Sequence, residues 1–319
     1  MGRIKDDERQ YNYIVLAENF YLDNKKEKAI RFYEKALEFK GTVDVYKTIL
    51  YNIAQIYDEI EDYSMSLITY EKIIKLDEKE PGSYYGMAMI YEKIGKIDDA
   101  LENYHKAIDI DPYYDRAYYY AANIFDKIGE KSKAIDYYYK VIELVQDDYI
   151  TYNNIGSLYE EMGNYENALK MINKSLEIEP RFYKALFNMG VVYTRLNEYD
   201  IALDYYYKSI EINPKYAYSY LNISAIYIEQ EKFKDTINLL DEGINNNPDA
   251  VDLYYNRACS YSILKDNKNA IKDLRKCIVL FPNIIESILV DKDFENLYDD
   301  VEFINLTKQI IKKASTEEF

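Results

Sequence analysis

The stretch Tyr149-Ile-Thr-Tyr-Asn-Asn-Ile-Gly-Ser-Leu-Tyr-Glu-Glu-Met-Gly-Asn-Tyr-Glu-Asn-Ala-Leu-Lys-Met-Ile-Asn-Lys-Ser-Leu-Glu-Ile-Glu-Pro180 decides the fold, because its small residues and its proline recur along most of the chain. Ala168 belongs to the column Ser66, Ala100, Ala134, Ala168, Ala202, Thr236 and Ala270, whose members stand 34 residues apart. Ala29 lies 37 before Ser66, so an extra turn's worth of residues separates the first copy from the rest. Pro180 shares its register with Pro112, Pro214, Pro248 and Pro282, and Gln146 fills the missing beat. Gly156 belongs to a third column: Ala17, Ala54, Ala88, Ala122, Gly156, Gly190, Ser224 and Ala258. A fixed period of this length means a stack of one supersecondary unit rather than a globule, and it puts function on the surfaces that stacking creates.

Within each period the apolar residues follow a helical spacing twice. Tyr118, Ala121, Ala122 and Phe125 form one helix face, and Ala134, Tyr138 and Val141 form a second. Gly129 lies between them, as Gly95 and Gly163 do one period either side, where glycine suits a tight turn between antiparallel helices. The proline that closes the period cannot continue a helix, so it separates one hairpin from the next.

The pattern resembles the tetratricopeptide repeat (TPR), an aromatic, then Leu-Gly, Tyr, Ala, an aromatic and Pro at fixed offsets. Two copies carry it most fully: Tyr152, Ile155, Gly156, Tyr159, Ala168, Ile172 and Pro180, then Leu186, Met189, Gly190, Tyr193, Ala202, Tyr206 and Pro214. The resemblance implies an all-α, right-handed superhelical solenoid of helix–turn–helix units with a C-terminal helical cap. Residues 1–9 are expected to be a lead-in. Eight repeats follow at 10–46, 47–80, 81–114, 115–148, 149–182, 183–216, 217–250 and 251–284, and residues 285–319 supply capping helices and a tail. The cap closes the last hydrophobic face; the frayed tail is expected over Ala314–Phe319.

Composition narrows the function. A formal charge of −17 argues against sequence-independent nucleic-acid binding and favours basic partners. No apolar run reaches membrane-spanning length, and the start Met1-Gly-Arg-Ile-Lys-Asp-Asp-Glu-Arg lacks the apolar core of a secretion signal. Asp6 stands where a myristoylation motif wants Ser or Thr. The reading is cytoplasmic, without membrane attachment. His105 is the only histidine and is expected at a solvated surface position, with no nucleophile arrangement around it. No phosphate-binding glycine loop and no Cys/His zinc cluster is present, so neither cofactor nor metal is expected and the chain reads as a non-enzyme. Cys277 falls in a packing column, Cys259 on the groove side of a first helix. Tyrosine is abundant at 39 residues, about half of them in signature columns.

By the resemblance, the first helix of each repeat lines a concave groove with its second, fifth, sixth, ninth and twelfth places. Three patterns occupy those places. An asparagine ladder, Asn52, Asn154, Asn188, Asn222 and Asn256, offers a donor and an acceptor to any peptide backbone; the alternative reading is a family habit of asparagine at this column. An acidic row, Asp58, Glu92, Asp126 and Glu160, runs beside the aromatic row Tyr51, Tyr85 and Tyr119, and suits Lys- or Arg-bearing segments. In the second half the stripe turns apolar at Phe187, Val191, Leu221, Ala225, Ile228, Tyr255 and Cys259, which favours a hydrophobic or amphipathic segment, the chain's own C-terminal segment or a second copy. No fifth place holds Lys, and Arg116 and Lys184 stand at second places without companions, so the carboxylate clamp for chaperone tails is disfavoured. The expected function is a non-catalytic scaffold for a partly basic peptide. The alternatives are a self-assembling structural protein or a regulatory subunit using its convex face.

Overall fold

Each sequence period folds as two helices joined by a tight turn, and the computed structural model, which describes residues 6–314, contains eight such pairs. They are α1 (Asp6–Leu22) with α2 (Lys26–Leu37), α3 (Val43–Glu59) with α4 (Tyr63–Leu76), α5 (Pro81–Lys93) with α6 (Ile97–Ile110), and α7 (Asp115–Lys127) with α8 (Lys131–Leu144). The later pairs are α9 (Tyr149–Glu161) with α10 (Tyr165–Ile178), α11 (Tyr183–Arg195) with α12 (Tyr199–Ile212), α13 (Ala217–Glu229) with α14 (Phe233–Asn246), and α15 (Val251–Ile263) with α16 (Asn267–Leu280). A 3-10 turn at Pro282–Ile284 leads to α17 (Ile285–Val290), a second 3-10 segment at Lys292–Leu297 and α18 (Val301–Ala314). No strand occurs among the described residues, so the chain is an all-α repeat solenoid. Residues 1–5 of the expected lead-in and 315–319 of the expected tail lie outside the described residues.

The turn inside every hairpin has one geometry. Gly95, Gly129 and Gly163 take φ of +75°, +83° and +74°, and at the same register Asn24, Glu61, Asn197, Glu231 and Lys265 adopt left-handed φ between 57° and 62°. Two bonds lock each turn, as in Gly95 N–H to Glu92 O at 3.0 Å and Lys96 N–H to Tyr91 O at 2.8 Å. This is the helix C-terminal motif in which a left-handed residue lets the chain reverse while the last carbonyls stay bonded. Glycine meets it without strain; the other residues pay for the missing freedom of their Cβ.

The break between hairpins follows from proline at most beats. Asp111, Glu179 and Asn213 precede prolines and are extended, with φ of −129°, −126° and −135°. Val145, before Gln146, takes the same conformation at φ −125°. There the next helix start holds the break, because the Asp148 carboxylate accepts the Ile150 and Thr151 backbone N–H groups and the Thr151 hydroxyl.

Two compact units divide the chain, one ending at Thr151 and the other beginning at Tyr152. In the first, Ala17, Ala29, Ile30, Tyr33, Ile49 and Ile53 make one core cluster, and Ala88, Ala100, Tyr104, Ala117 and Ile124 make another. In the second, Ala168, Ile172, Ala185 and Met189 pack together, followed by a cluster around Tyr206, Tyr220, Ile223, Leu240 and Leu253. The small columns are small because second-helix side chains press on them: a Cβ on Gly190 would come within 2.5 Å of the Tyr206 ring. The final cluster joins Ala258, Ile271, Leu274 and Ile278 to Ile288, Phe294, Leu297, Phe303 and Leu306, so the C-terminal segment closes the apolar face of the eighth hairpin.

Candidate functional site

Buried tyrosines from the second helices build the floor beneath the first-helix columns. Tyr104 and Tyr206 are fully buried and Tyr138 nearly so, with their hydroxyls reaching first-helix polar groups. Tyr104 donates to Glu92, Tyr138 to Asn123, and Tyr206 to Asn222 Oδ1 at 3.3 Å. Tyr33, nearly buried, accepts from Asn52 Nδ2 at 3.2 Å. Burial pushes the Tyr33 and Tyr206 phenols up to about 12, so both stay protonated at physiological pH. A buried ring with a bonded hydroxyl supplies apolar area and a fixed polar handle together. The columns for these tyrosines were legible in the sequence, but their role in holding groove residues was not.

The asparagines are engaged inside the chain. In the second unit Asn188 Nδ2 donates to Asn153 Oδ1 at 2.9 Å, Asn222 Nδ2 to the Tyr218 carbonyl at 2.9 Å, and Asn256 Nδ2 to Ser224 Oγ at 3.2 Å. Asn154 is half-buried on α9 and also interacts within the chain. With their amide nitrogens used in this way, Asn188 and Asn256 each keep a side-chain carbonyl oxygen that can accept a hydrogen bond.

Two members of the acidic row carry their own counter-charges. Both Asp58 carboxylate oxygens accept from Lys93 Nζ at 2.6 Å, and Glu160 accepts from Arg195 Nε at 2.9 Å. Each cation sits one place past the acidic column in the next repeat, 35 residues on. Opposite charges at that offset were visible in the sequence; reading each column singly hid them. Asp126 interacts within the chain as well.

In the first unit Tyr85 and Tyr119 line one hollow of about 380 Å³ with Tyr120, Arg116, Asp115 and Asp148. Tyr85 packs against Tyr104, Tyr114 and Tyr120, and burial raises its phenol strongly. Tyr51, one repeat earlier, shares hydrogen bonds with Glu80 and Ser83. The hollow thus mixes one cation with two carboxylates over an aromatic floor.

In the second unit Phe187, Val191, Leu221 and Ile228 are half-buried and Ala225 is exposed, all on the fifth, ninth and twelfth places. The eighth repeat differs, because its equivalents are covered by the segment after α17. Tyr255 donates to Asp291 Oδ2 at 2.6 Å and meets the Phe294 ring edge-on at 5.5 Å. The single Ser262 O–H has two acceptors within reach, the Asp293 carbonyl and Asn296 Oδ1, each at 2.6 Å. Cys259 lies buried in the same cluster as Phe294.

Two residues read from sequence change character. His105 is half-buried rather than solvated: it bonds the Tyr137 hydroxyl at 2.8 Å and stacks on Phe125. Cys259 does not face an open groove, because the cap fills it. Burial raises its thiol, and Asp291 and Asp293 raise it further. The Cys259, Asp291 and Asp293 ligand atoms lie within 4.8 Å of one another, a spacing that could admit a cation. However, Asp291 already accepts the Tyr255 hydroxyl and the Asp293 backbone N–H. Burial also pushes the Cys277 thiol up to about 12, with Sγ directed at the Val251 carbonyl. No helix among the described residues is long and apolar enough to cross a membrane.

Models of the tetratricopeptide repeat match residues 48–80, 81–114, 116–147, 149–182, 183–216 and 251–284. Comparison with curated proteins found no match. Among solved structures, a chain of the APC/C hetero-tetramer Cut9–Hcn1 is 19% identical, covering 89% of this chain and 55% of that one at a TM-score of 0.56. That likeness speaks for the fold alone. MamA is 27% identical over 53% of this chain and 92% of its own, with a TM-score of 0.48. YrrB, described as a TPR protein with an unusual peptide-binding site, is 22% identical over 57% of this chain and 93% of its own, with a TM-score of 0.47.

Proposed function

This chain belongs to the tetratricopeptide-repeat family and is a protein–protein interaction scaffold, and from that premise we propose that it holds a peptide segment of its partner along the first-helix columns. Proteins of this family are generally non-catalytic scaffolds, and we read this one in the same way. The observation that carries the proposal is the seating of Asp291–Leu297 on the eighth repeat. There the fifth, ninth and twelfth places already hold a peptide segment, with an aromatic ring against Tyr255 and hydrogen bonds at Tyr255 and Ser262. Phe187, Val191, Leu221, Ala225 and Ile228 offer the same columns one and two repeats earlier.

One repeat is too little for a stable complex. Covering a ring-sized area of about 150–250 Å² at about 25 cal/mol per Å² gives about 4–6 kcal/mol, which the entropy of association largely cancels. A partner therefore has to engage consecutive repeats of the second unit. Asn188 and Asn256 would accept its backbone N–H groups, with Asn154 and Asn222 completing the ladder by exchanging internal bonds. A basic end is favoured where Glu160 lies, and in the first unit where Asp58, Glu92 and Asp126 lie. Such an end would replace Arg195 or Lys93, an exchange between surface ion pairs each worth only about 0–1 kcal/mol.

The test is a displayed peptide library selected on the wild-type chain, with the winners remeasured on Ala225→Arg and on Asn188→Ala/Asn222→Ala. Ala225 is exposed, so arginine there blocks the stripe without entering the core. Loss of binding by both variants, at unchanged circular dichroism, supports the reading. Peptides that bind both variants as tightly as wild type would move the working surface elsewhere.

A further inference from the structure

Among the second helices of this acidic chain, α16 carries the largest net positive charge. It carries Lys268, Lys272, Arg275 and Lys276 against the single acid Asp273. Its neighbours run the other way: α12 has Asp200, Asp204 and Glu211 against Lys208, and α14 has Asp235, Asp241 and Glu242 against Lys234. The four cations and Val279 follow helical spacing, so they share one face. The opposite face, with Ala270, Leu274 and Cys277, is buried in the core.

Local packing keeps this charge available. Asp273 is turned aside into a two-point bond with Arg257, at 2.7 Å from both Nε and Nη2, and Arg257 also takes Asp241. The Arg257 trio keeps one net negative charge, against four positive charges on the face of α16. Among the described residues no carboxylate lies in an ion pair with Lys268, Lys272, Arg275 or Lys276. Beside the cations is an open hollow of about 540 Å³ floored by Ile244, Tyr254 and Val279. Val279 is 70% exposed, and Lys276 Nζ stands 5.8 Å over the Tyr254 ring. An apolar floor ringed by cations on a second-helix face is a built surface for a ligand that brings both negative charge and an apolar side chain.

We infer that this face of α16 docks an acidic segment of a partner protein, its carboxylates on Lys272, Arg275 and Lys276 and an apolar side chain over Tyr254 and Val279. The net charge of −17 disfavours such a segment over most of the chain, which favours its docking on a basic patch and makes the complex salt-sensitive. This surface is separate from the first-helix columns, so a scaffold can hold one segment there and a second, oppositely charged one here.

The probe is the fluorescein-labelled octapeptide Asp-Glu-Leu-Asp-Glu-Phe-Glu-Asp, titrated into the full chain by fluorescence anisotropy, with a Lys-for-acid version as control. Wild type is expected to bind the acidic peptide saturably, with affinity falling as salt rises from about 0.05 to about 0.3 M, whereas binding of the Lys-for-acid version, which suits the acidic first-helix columns, is not weakened by charge reversal on α16. Lys272→Glu/Arg275→Glu/Lys276→Glu is expected to weaken binding by more than roughly tenfold. Lys272→Arg/Arg275→Lys should retain it, and Ala225→Arg should leave it unchanged because that position belongs to the other surface. The altered side chains project from the core, and matching circular dichroism melts verify folding. The inference is overturned if wild type shows no saturable binding, if the charge-reversed variant binds as tightly, or if phosphatidylserine vesicles bind while the peptide does not.

Discussion

Replacing Arg257 by methionine is the sharpest test of how this array balances charge and burial. Asp273 is 2% exposed, and its two oxygens are held by Arg257 at 2.7 Å. At an effective dielectric near 20 such a pair attracts by about 4 kcal/mol, comparable with the several kcal/mol each ion loses in leaving water. Burial outweighs the pairing at this carboxyl, because desolvation pushes Asp273 up despite the pull of Arg257. Arg257→Met removes the compensation and leaves a buried carboxylate, which costs about 3–5 kcal/mol at pH 7. Arg257→Met/Asp273→Leu removes both charges and should return to within about 1 kcal/mol of wild type. The pH sign follows from the raised carboxyl. A folded acid that holds its proton more tightly than the unfolded one is most favourable below the unfolded value of about 3.9, and its contribution falls as pH rises through the raised folded value. Without Arg257 the upward push is unopposed, so the deficit of the single variant should shrink between pH 7 and about pH 4.5. Urea denaturation followed by circular dichroism gives the free energies, and amide exchange in α15 and α16 locates the loss, since arrays can unfold in steps. A deficit below about 1 kcal/mol at pH 7, equal deficits at both pH values, or a double variant no better than the single would refute the reasoning.

Further outcomes follow from the turns, the thiols and the acidic row. Glu231→Gly and Lys265→Gly should each raise stability by about 0.5–1 kcal/mol in thermal melts, because left-handed strain of about 1–2 kcal/mol is relieved and part is returned as unfolded-state entropy; Gly129→Ala should do the reverse. Cys259 and Cys277 should resist a thiol reagent at pH 8 in the native chain and react after denaturation, because burial holds both protonated; fast native reaction would contradict the cap's placement. Asp58→Asn should lower stability by no more than about 1 kcal/mol, because its bond to Lys93 is a surface pair, and a larger loss in urea titration would show that the pair is structural.

The hairpin unit and its period were legible in the residues alone. Alanine, glycine and serine recur where helices must touch, glycine marks turns that need left-handed φ, and proline ends second helices by lacking an N–H. These are local constraints, and they repeat because each unit meets nearly the same neighbours. Even Glu231 and Lys265 obey the turn geometry at positions where composition alone does not announce it. Tertiary structure decided which side chains on those helices are still available to a partner. Asp58 and Lys93, or Glu160 and Arg195, find each other only when successive hairpins stack, and Tyr206 reaches Asn222 only across a helix interface. Tyr255 and Cys259 look like groove residues in their columns, yet Asp291 and Phe294 return to cover them. A repeat pattern fixes where a side chain stands on its helix. What that side chain bonds depends on residues 12 to 36 positions away, and only the packed chain brings those together.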